Sequence, residues 1–418
     1  FTSGAADGLI TITNNVIGGI AVGTISYVNI DNLIVDPTDN FANNLLIRSL
    51  FAGVTLTIFD TSALVDTVNI GDAGSLDPIQ GLVIINDFGA STPDVVNYND
   101  NADASNNTYV LSSGGDLTRN GVLLVNLEDD EFELVTLNAG TGSDTITVTP
   151  STAVTFNVNG NTPAGVLPGD VLIYDGSGNK TITGTGAGQI TGPGVQPVNF
   201  TGIEQVAATG VNLLTDTINI GALPGGADGN PNNLRVDRDA TGALIQFFFD
   251  GNTGDATPEV LLLSQVYANT GSPITINGAG DNDTLTIDNS LHLINRTFNF
   301  AGAGQTGAPG DALVITGNPG SVATRETYLV GATQDAGTWV IDPDGNRGPG
   351  VTLAPNGDEL TVAFTGLEPV DTDTQAAVFD VILPSGGTND DLTIDNVGSP
   401  LNGFAAVRVL DNAGTFET

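Results

Sequence analysis

Apolar and polar positions alternate with a period of two in short runs that recur along the chain. The clearest runs open with an Asp: Asp66-Thr67-Val68-Asn69-Ile70, Asp144-Thr145-Ile146-Thr147-Val148, Asp216-Thr217-Ile218-Asn219-Ile220, Asp283-Thr284-Leu285-Thr286-Ile287 and, without the Thr, Asp391-Leu392-Thr393-Ile394. A period of two makes each run a β-strand with its apolar side chains on one face, and the Asp suits the turn before it. Val68, Ile70, Ile146, Val148, Ile218, Ile220, Leu285 and Ile287 are therefore expected to point inward, and Thr145, Thr147 and Thr286 outward. Further runs, such as Val54 to Ile58, Val154 to Val158 and Ala243 to Phe249, are set apart by turn dipeptides including Asn120-Gly121, Asp175-Gly176 and Asp250-Gly251. No segment keeps a helical period for three turns, so the chain is expected to be all-β. The uncharged stretch from Gly8 to Ile30 is long enough to raise a membrane helix. Its Asn14, Asn15 and Asn29, the alternation Leu9-Ile10-Thr11-Ile12-Thr13 and the lack of a basic residue before Arg48 predict strands instead.

Longer matches reveal a larger unit. Val198-Asn199-Phe200-Thr201-Gly202-Ile203-Glu204 returns as Val362-Ala363-Phe364-Thr365-Gly366-Leu367-Glu368 and, degenerate, as Ile25-Ser26-Tyr27-Val28-Asn29-Ile30-Asp31. Pro168-Gly169-Asp170-Val171-Leu172-Ile173 returns as Pro309-Gly310-Asp311-Ala312-Leu313-Val314. The unit is roughly 140 to 170 residues long, which divides the chain into the end of one copy (1–90), a full copy (91–235) and a more divergent copy (236–418). Short repeated strands bury their apolar faces only against their neighbours. With no linker or composition break, the expected fold is one continuous parallel β-helix or solenoid of short strands, in which equivalent side chains stack into ladders. Tandem β-sandwich domains are the alternative. Because the sequence starts at Phe1 without Met and stops inside a copy, it is expected to be processed or cut from a longer protein.

Charge narrows the partners. Nine Lys and Arg against 48 Asp and Glu give a net charge of −39, and Lys180 is the sole lysine. Such a field repels phosphate backbones and anionic membranes, so neither nucleic-acid binding nor membrane insertion is expected, whereas divalent cations are attracted. Acidity kept for solubility alone is the competing reading. An apolar content of 40% is too high for a disordered chain. The absence of Cys rules out disulfide staples and thiolate metal sites. With a single His as well, a Ser-His or Cys-His nucleophile is nearly excluded.

The series Asp66 to Gly71, Gly74-Ser75-Leu76-Asp77-Pro78-Ile79-Gln80-Gly81, Asn107 to Leu111, Leu137 to Ile146, Pro168-Gly169-Asp170 and Gln196 to Glu204 resembles the long bacterial extracellular β-strand-repeat proteins. The likeness is clearest between residues 64 and 220. It implies a secreted or surface-attached modular protein with a solenoid-like body and no catalytic activity.

Two kinds of loop are candidates for calcium, a hard cation that takes oxygen ligands. Asp342-Pro343-Asp344-Gly345-Asn346 sets oxygen side chains at alternate positions around a Gly turn, so Asp342, Asp344 and Asn346 are the first choice. Ala139 to Ile146 nearly matches the calcium-binding nonapeptide pattern, and Gly278 to Asp283 is one residue too long for it, which makes Asp144 and Asp283 the second. True nonapeptides run in tandem and these do not, so a plain structural turn competes there. Asp100-Asn101-Ala102-Asp103 reads as a solvated turn. The expected protein is a non-enzymatic structural component of the bacterial surface, extracellular and possessing a repeat body that builds a filament, sheath or layer or serves as an adhesin stalk. Unfinished coils at both ends expose strand edges, which favours a homo-oligomer or homopolymer. A carbohydrate-binding or polysaccharide-cleaving β-helix, with an extracellular polysaccharide as partner, is the alternative.

Overall fold

The computed structural model describes residues 10–411 apart from 14–15, 21–22, 27–29, 37–43, 60–64, 87–93, 129–131, 163–164, 166, 304–309, 318–322, 334, 349–350, 352, 368–369, 375, 384–391 and 397–406. Asp391, Pro309 and Glu368 thus lie outside the described residues, as does part of Gly8 to Ile30. Within that stretch the described residues form the strands Ile10–Thr13, Val16–Ile20 and Gly23–Ser26. The fold is all-β: two large, mostly parallel sheets and a separate hairpin of Leu392–Asn396 with Val407–Asp411. Among the described residues no helix is long and apolar enough to cross a membrane.

The chain forms two compact units, one of residues 1–179 and 185–212, the other of 180–184 and 213–418. These are divisions by packing and need not coincide with the recurrence at 1–90, 91–235 and 236–418. In the first unit the chain passes back and forth between two sheets, and strands of one sheet stack in parallel. Asn44–Ile47, Thr67–Ile70, Asp94–Asn99, Phe132–Asn138, Thr155–Asn159 and Val198–Thr201 follow one another in the first sheet. In the second, Asn32–Val35, Thr55–Phe59, Leu82–Asn86 and Val122–Leu127 form one parallel run. Thr108–Leu111, Thr145–Val148, Val171–Tyr174 and Gln205–Ala208 form another, and Leu117–Arg119 bridges the two runs antiparallel.

The second unit follows the same scheme. Leu214–Asn219, Ile274–Asn277, Thr297–Ala301 and Leu360–Thr365 stack in one sheet. Asn232–Arg238, Asp283–Asp288, Ala312–Thr316 and Val370–Thr372 stack in the other. Antiparallel excursions leave this frame at Leu244–Asp250 with Val260–Val266, and at Ala323–Val330 with Ala336–Asp342. Immunoglobulin-type sandwiches pair their strands antiparallel, so the parallel stacking departs from the tandem-sandwich alternative.

Strand alternation explains where the core sits. Val68, Ile70, Ile146, Val148, Ile218, Ile220, Leu285 and Ile287 are all fully buried, while Thr145, Thr147 and Thr286 are only partly covered on the other face. Parallel in-register pairing also sets like residues above one another. Asn97 Nδ2 donates to Asn69 Oδ1 (3.0 Å), whose own Nδ2 donates to Asn44 Oδ1 (3.2 Å). Asn159, Asn138 and Asn99 form a second ladder (2.6 and 2.9 Å), and Asn277 donates to Asn219 at 2.7 Å. The middle amides, Asn69 and Asn138, both donate and accept, so each column passes hydrogen bonds along the stacking direction.

Candidate cation site and carboxylate ladder

The Asp at or near the start of a strand lies inside the fold. Asp66, Asp94, Asp144, Asp170, Asp216, Asp283 and Asp311 are each at most 1% exposed. Several of their carboxylates answer a backbone need: where the chain enters a strand its N–H is buried, and a buried N–H must find an acceptor. Asn107 N donates to Asp144 Oδ1 (2.6 Å), Asp144 N to Asp170 Oδ1 (2.6 Å), and Asp170 N to Glu204 Oε2 (2.7 Å). Asp66 N donates to Asp94 Oδ1 (2.7 Å), and Asp283 N to Asp311 Oδ1 (2.8 Å). The Asp-Thr, Pro-Gly-Asp and Phe-Thr-Gly-Ile-Glu motifs around Asp144, Asp170 and Glu204 are thus successive rungs of one ladder.

Packing around the ladder leaves no space for a Cβ at two Gly positions. An added Cβ at Gly160 would run into Gly202 O and lie 2.6 Å from Asp170 Oδ2, and one at Gly169 would run into the Glu204 carboxylate. Gly202 has a second reason, a φ of +64° in the turn that carries the chain from Val198–Thr201 to Gln205–Ala208. Confinement shifts protons as well. Burial pushes Asp170 up to about 8, with the neighbouring Asp144 and Glu204 charges adding to the shift. Asp283 is pushed up to about 6, again chiefly by burial, and Asp144 and Glu204 are raised for the same reason.

Asp144 and Asp283, the second choice for calcium, are members of this buried set. Asp144 accepts from Asn107 N and, through Oδ2, from Gly140 N at 3.1 Å. Asp283 accepts from Ala279 N and, at 3.1 Å, from Asn232 Nδ2. The Gly-rich turns aim N–H donors at these carboxylates, so both serve the backbone around them.

The first-choice loop is different. Asp342, Asp344 and Asp358 each bring a carboxylate oxygen to a common point, all within 4.8 Å of one another. Asp342, 1% exposed at the end of Ala336–Asp342, accepts from Gly345 N (2.8 Å) and Arg347 N (3.0 Å), which folds the loop back on itself. Asp344 accepts from Asn346 N (2.9 Å) and Asn356 Nδ2 (3.3 Å). Asn346 Oδ1 and Asp358 Oδ1 are enclosed without a hydrogen-bond partner. Burial raises the Asp358 carboxyl, and the Asp344 charge raises it further. Three carboxylates make a hard donor set of the kind calcium takes. Sequence reading missed Asp358, whose only signal is the turn Asn356-Gly357-Asp358-Glu359 placed just before the strand Leu360–Thr365.

Asp100 and Asp103, expected in a solvated turn, instead hold Arg119. Arg119 Nε lies 2.7 Å from Asp100 Oδ2, the same guanidinium pairs with Asp103 and Asp77, and Tyr109 donates its hydroxyl proton to Asp100 at 2.6 Å. Asp100 is buried because the neighbouring strands Thr108–Leu111 and Leu117–Arg119 present Tyr109 and Arg119 to it, while Asn101 and Ala102 stay exposed.

A groove of about 790 Å³ adjoins the acidic loop, lined by Ser272, Asn295, Arg296, Arg347, Asn356 and Glu359 among others. Arg296 spends its donors on the carbonyls of Thr270 (3.0 Å), Asn295 (2.9 Å) and Tyr267 (2.9 Å) and stacks 4.1 Å from the centre of the Tyr267 ring. Arg238 stacks on the same ring at 3.7 Å, and among the described residues neither guanidinium forms an ion pair. Comparison with family models, with curated proteins and with solved structures finds no match.

Proposed function

We propose that the chain is an extracellular structural protein of the bacterial surface, a parallel β-solenoid that associates with copies of itself and binds calcium in the loop of Asp342, Asp344, Asn346 and Asp358. The observation that carries this reading is the ladder. Backbone N–H groups, Asp carboxylates and Asn amides on stacked strands satisfy one another in a fixed direction, which is how a repeat body gains stability from neighbours. A column of this kind runs in one direction, so a second copy stacked in register would extend it. The acidity of the chain supports the cation role, since carboxylates gathered by the fold repel until a cation or a proton neutralises them. The groove favours a second reading, recognition of a carbohydrate through Asn356 and Arg347, which line it.

Light scattering and electron microscopy of the native protein, with calcium and with chelator, test the first reading. Oligomers or polymers are expected in calcium. A monodisperse monomer in both conditions, together with retention on a polysaccharide column, would replace it with the second.

A further inference from the structure

Lys180, the sole lysine, is wholly buried, and so is Asp216, with Nζ 3.0 Å from Oδ1. They sit on neighbouring strands, Gly178–Gly184 and Leu214–Asn219. Asp216 opens its Asp-Thr run, as Asp144 and Asp283 open theirs where they accept backbone N–H groups, but it lies third in its strand. Here no backbone N–H reaches either carboxylate oxygen, and the polar group that approaches it is the Lys180 amine. The Phe247 ring, centred 5.7 Å from Nζ, closes off one side.

A buried ion pair with no further hydrogen bonds to its remaining lone pairs and protons recovers little of its desolvation cost. Burial pushes the Lys180 amine down and the Asp216 carboxyl up, so both move toward their neutral forms. A neutral amine is a nucleophile and a protonated carboxyl an electrophile, and the fold holds them in contact away from water.

We propose that Lys180 and Asp216 condense into an intramolecular isopeptide bond that ties the two strands together. The Nζ lone pair attacks Asp216 Cγ and a C–N bond forms. The C–O bond to the protonated oxygen breaks, and that hydroxyl leaves with an amine proton as water. Nothing is oxidised or reduced, and a neutral amide replaces the buried amine and carboxyl.

Because the chain has one lysine, the test is direct. Protein that has folded is then denatured, its intact mass is measured, and it is treated with a lysine-specific endoprotease. The expected result is a mass one water below that of the sequence and no cleavage after Lys180, with the peptides bearing Lys180 and Asp216 recovered as one linked species after digestion at other residues. Asp216→Ala should restore the full mass and the single cut. The full sequence mass with cleavage after Lys180 in the wild-type chain overturns the proposal, and this measurement stands even where Asp216→Ala fails to fold.

Discussion

At the scale of the residue, Asp170 shows how a buried carboxyl links stability to pH. Its folded value of about 8 lies above the ordinary carboxyl range, so the native state holds a proton that the unfolded chain has released. The stabilisation is complete below about pH 4 and is lost as pH rises through the folded value, at about 1.4 kcal/mol per unit in between. Asp170→Asn copies the protonated form and keeps an acceptor for Asp144 N. The variant should match the wild type below about pH 4 and exceed it by a margin that grows as pH rises toward about 8 in denaturant unfolding; equal pH slopes would show that Asp170 is ionised throughout. Gly160→Ala is expected to cost about 1–3 kcal/mol by overpacking against Gly202 O and Asp170. Gly280→Ala, where an added Cβ meets nothing within 4 Å, should change stability by less than about 0.5 kcal/mol.

At the scale of the element, the Asn ladders give each strand a second means of holding register beyond its backbone bonds. Asn138 accepts from Asn159 and donates to Asn99. Asn138→Ala should therefore cost about 1–2 kcal/mol, the net worth of two side-chain hydrogen bonds. A double-mutant cycle with Asn159→Ala should be non-additive because the two share one bond. Additive losses in thermal or denaturant unfolding would mean that the amides bond to water and not to each other. The antiparallel excursions obey other rules: Ala336–Asp342 stacks Trp339 on Tyr328 at 5.2 Å and sends its indole N–H to Glu326 at 2.6 Å. Such an excursion ends on the loop of Asp342 and Asp344, outside the repeating pattern.

At the scale of the whole molecule, a net charge of −39 favours any state that gathers cations. Calcium bound by the native chain alone stabilises it by about 2.7 kcal/mol at a hundredfold excess over Kd. The melting midpoint should rise with calcium at matched ionic strength. Asp358→Asn and Asp344→Asn should abolish the rise, and Asp94→Asn, placed in the ladder, should leave it intact. A midpoint indifferent to calcium and chelator would reduce the acidity to a solubility device.

The sequence alone determined which side of each strand faces the core, because a period of two is a local property: once Thr145 and Thr147 point one way, Ile146 and Val148 must point the other. It also determined the all-β class and the recurrence of the Pro-Gly-Asp and Phe-Thr-Gly-Ile-Glu motifs. Only the tertiary structure decided what those motifs do. Asp144, Asp170 and Glu204 stand 26 and 34 residues apart and meet because strands between them stack in register. Contacts outside that stacking buried Asp100 beside Arg119 and brought Asp358 to Asp342 and Asp344, and another tertiary contact set Lys180 against Asp216. A local pattern cannot carry such information, since an Asp in a turn reads alike whether water, a backbone N–H, a cation or a lysine lies in front of it, and that choice belongs to the neighbouring strand.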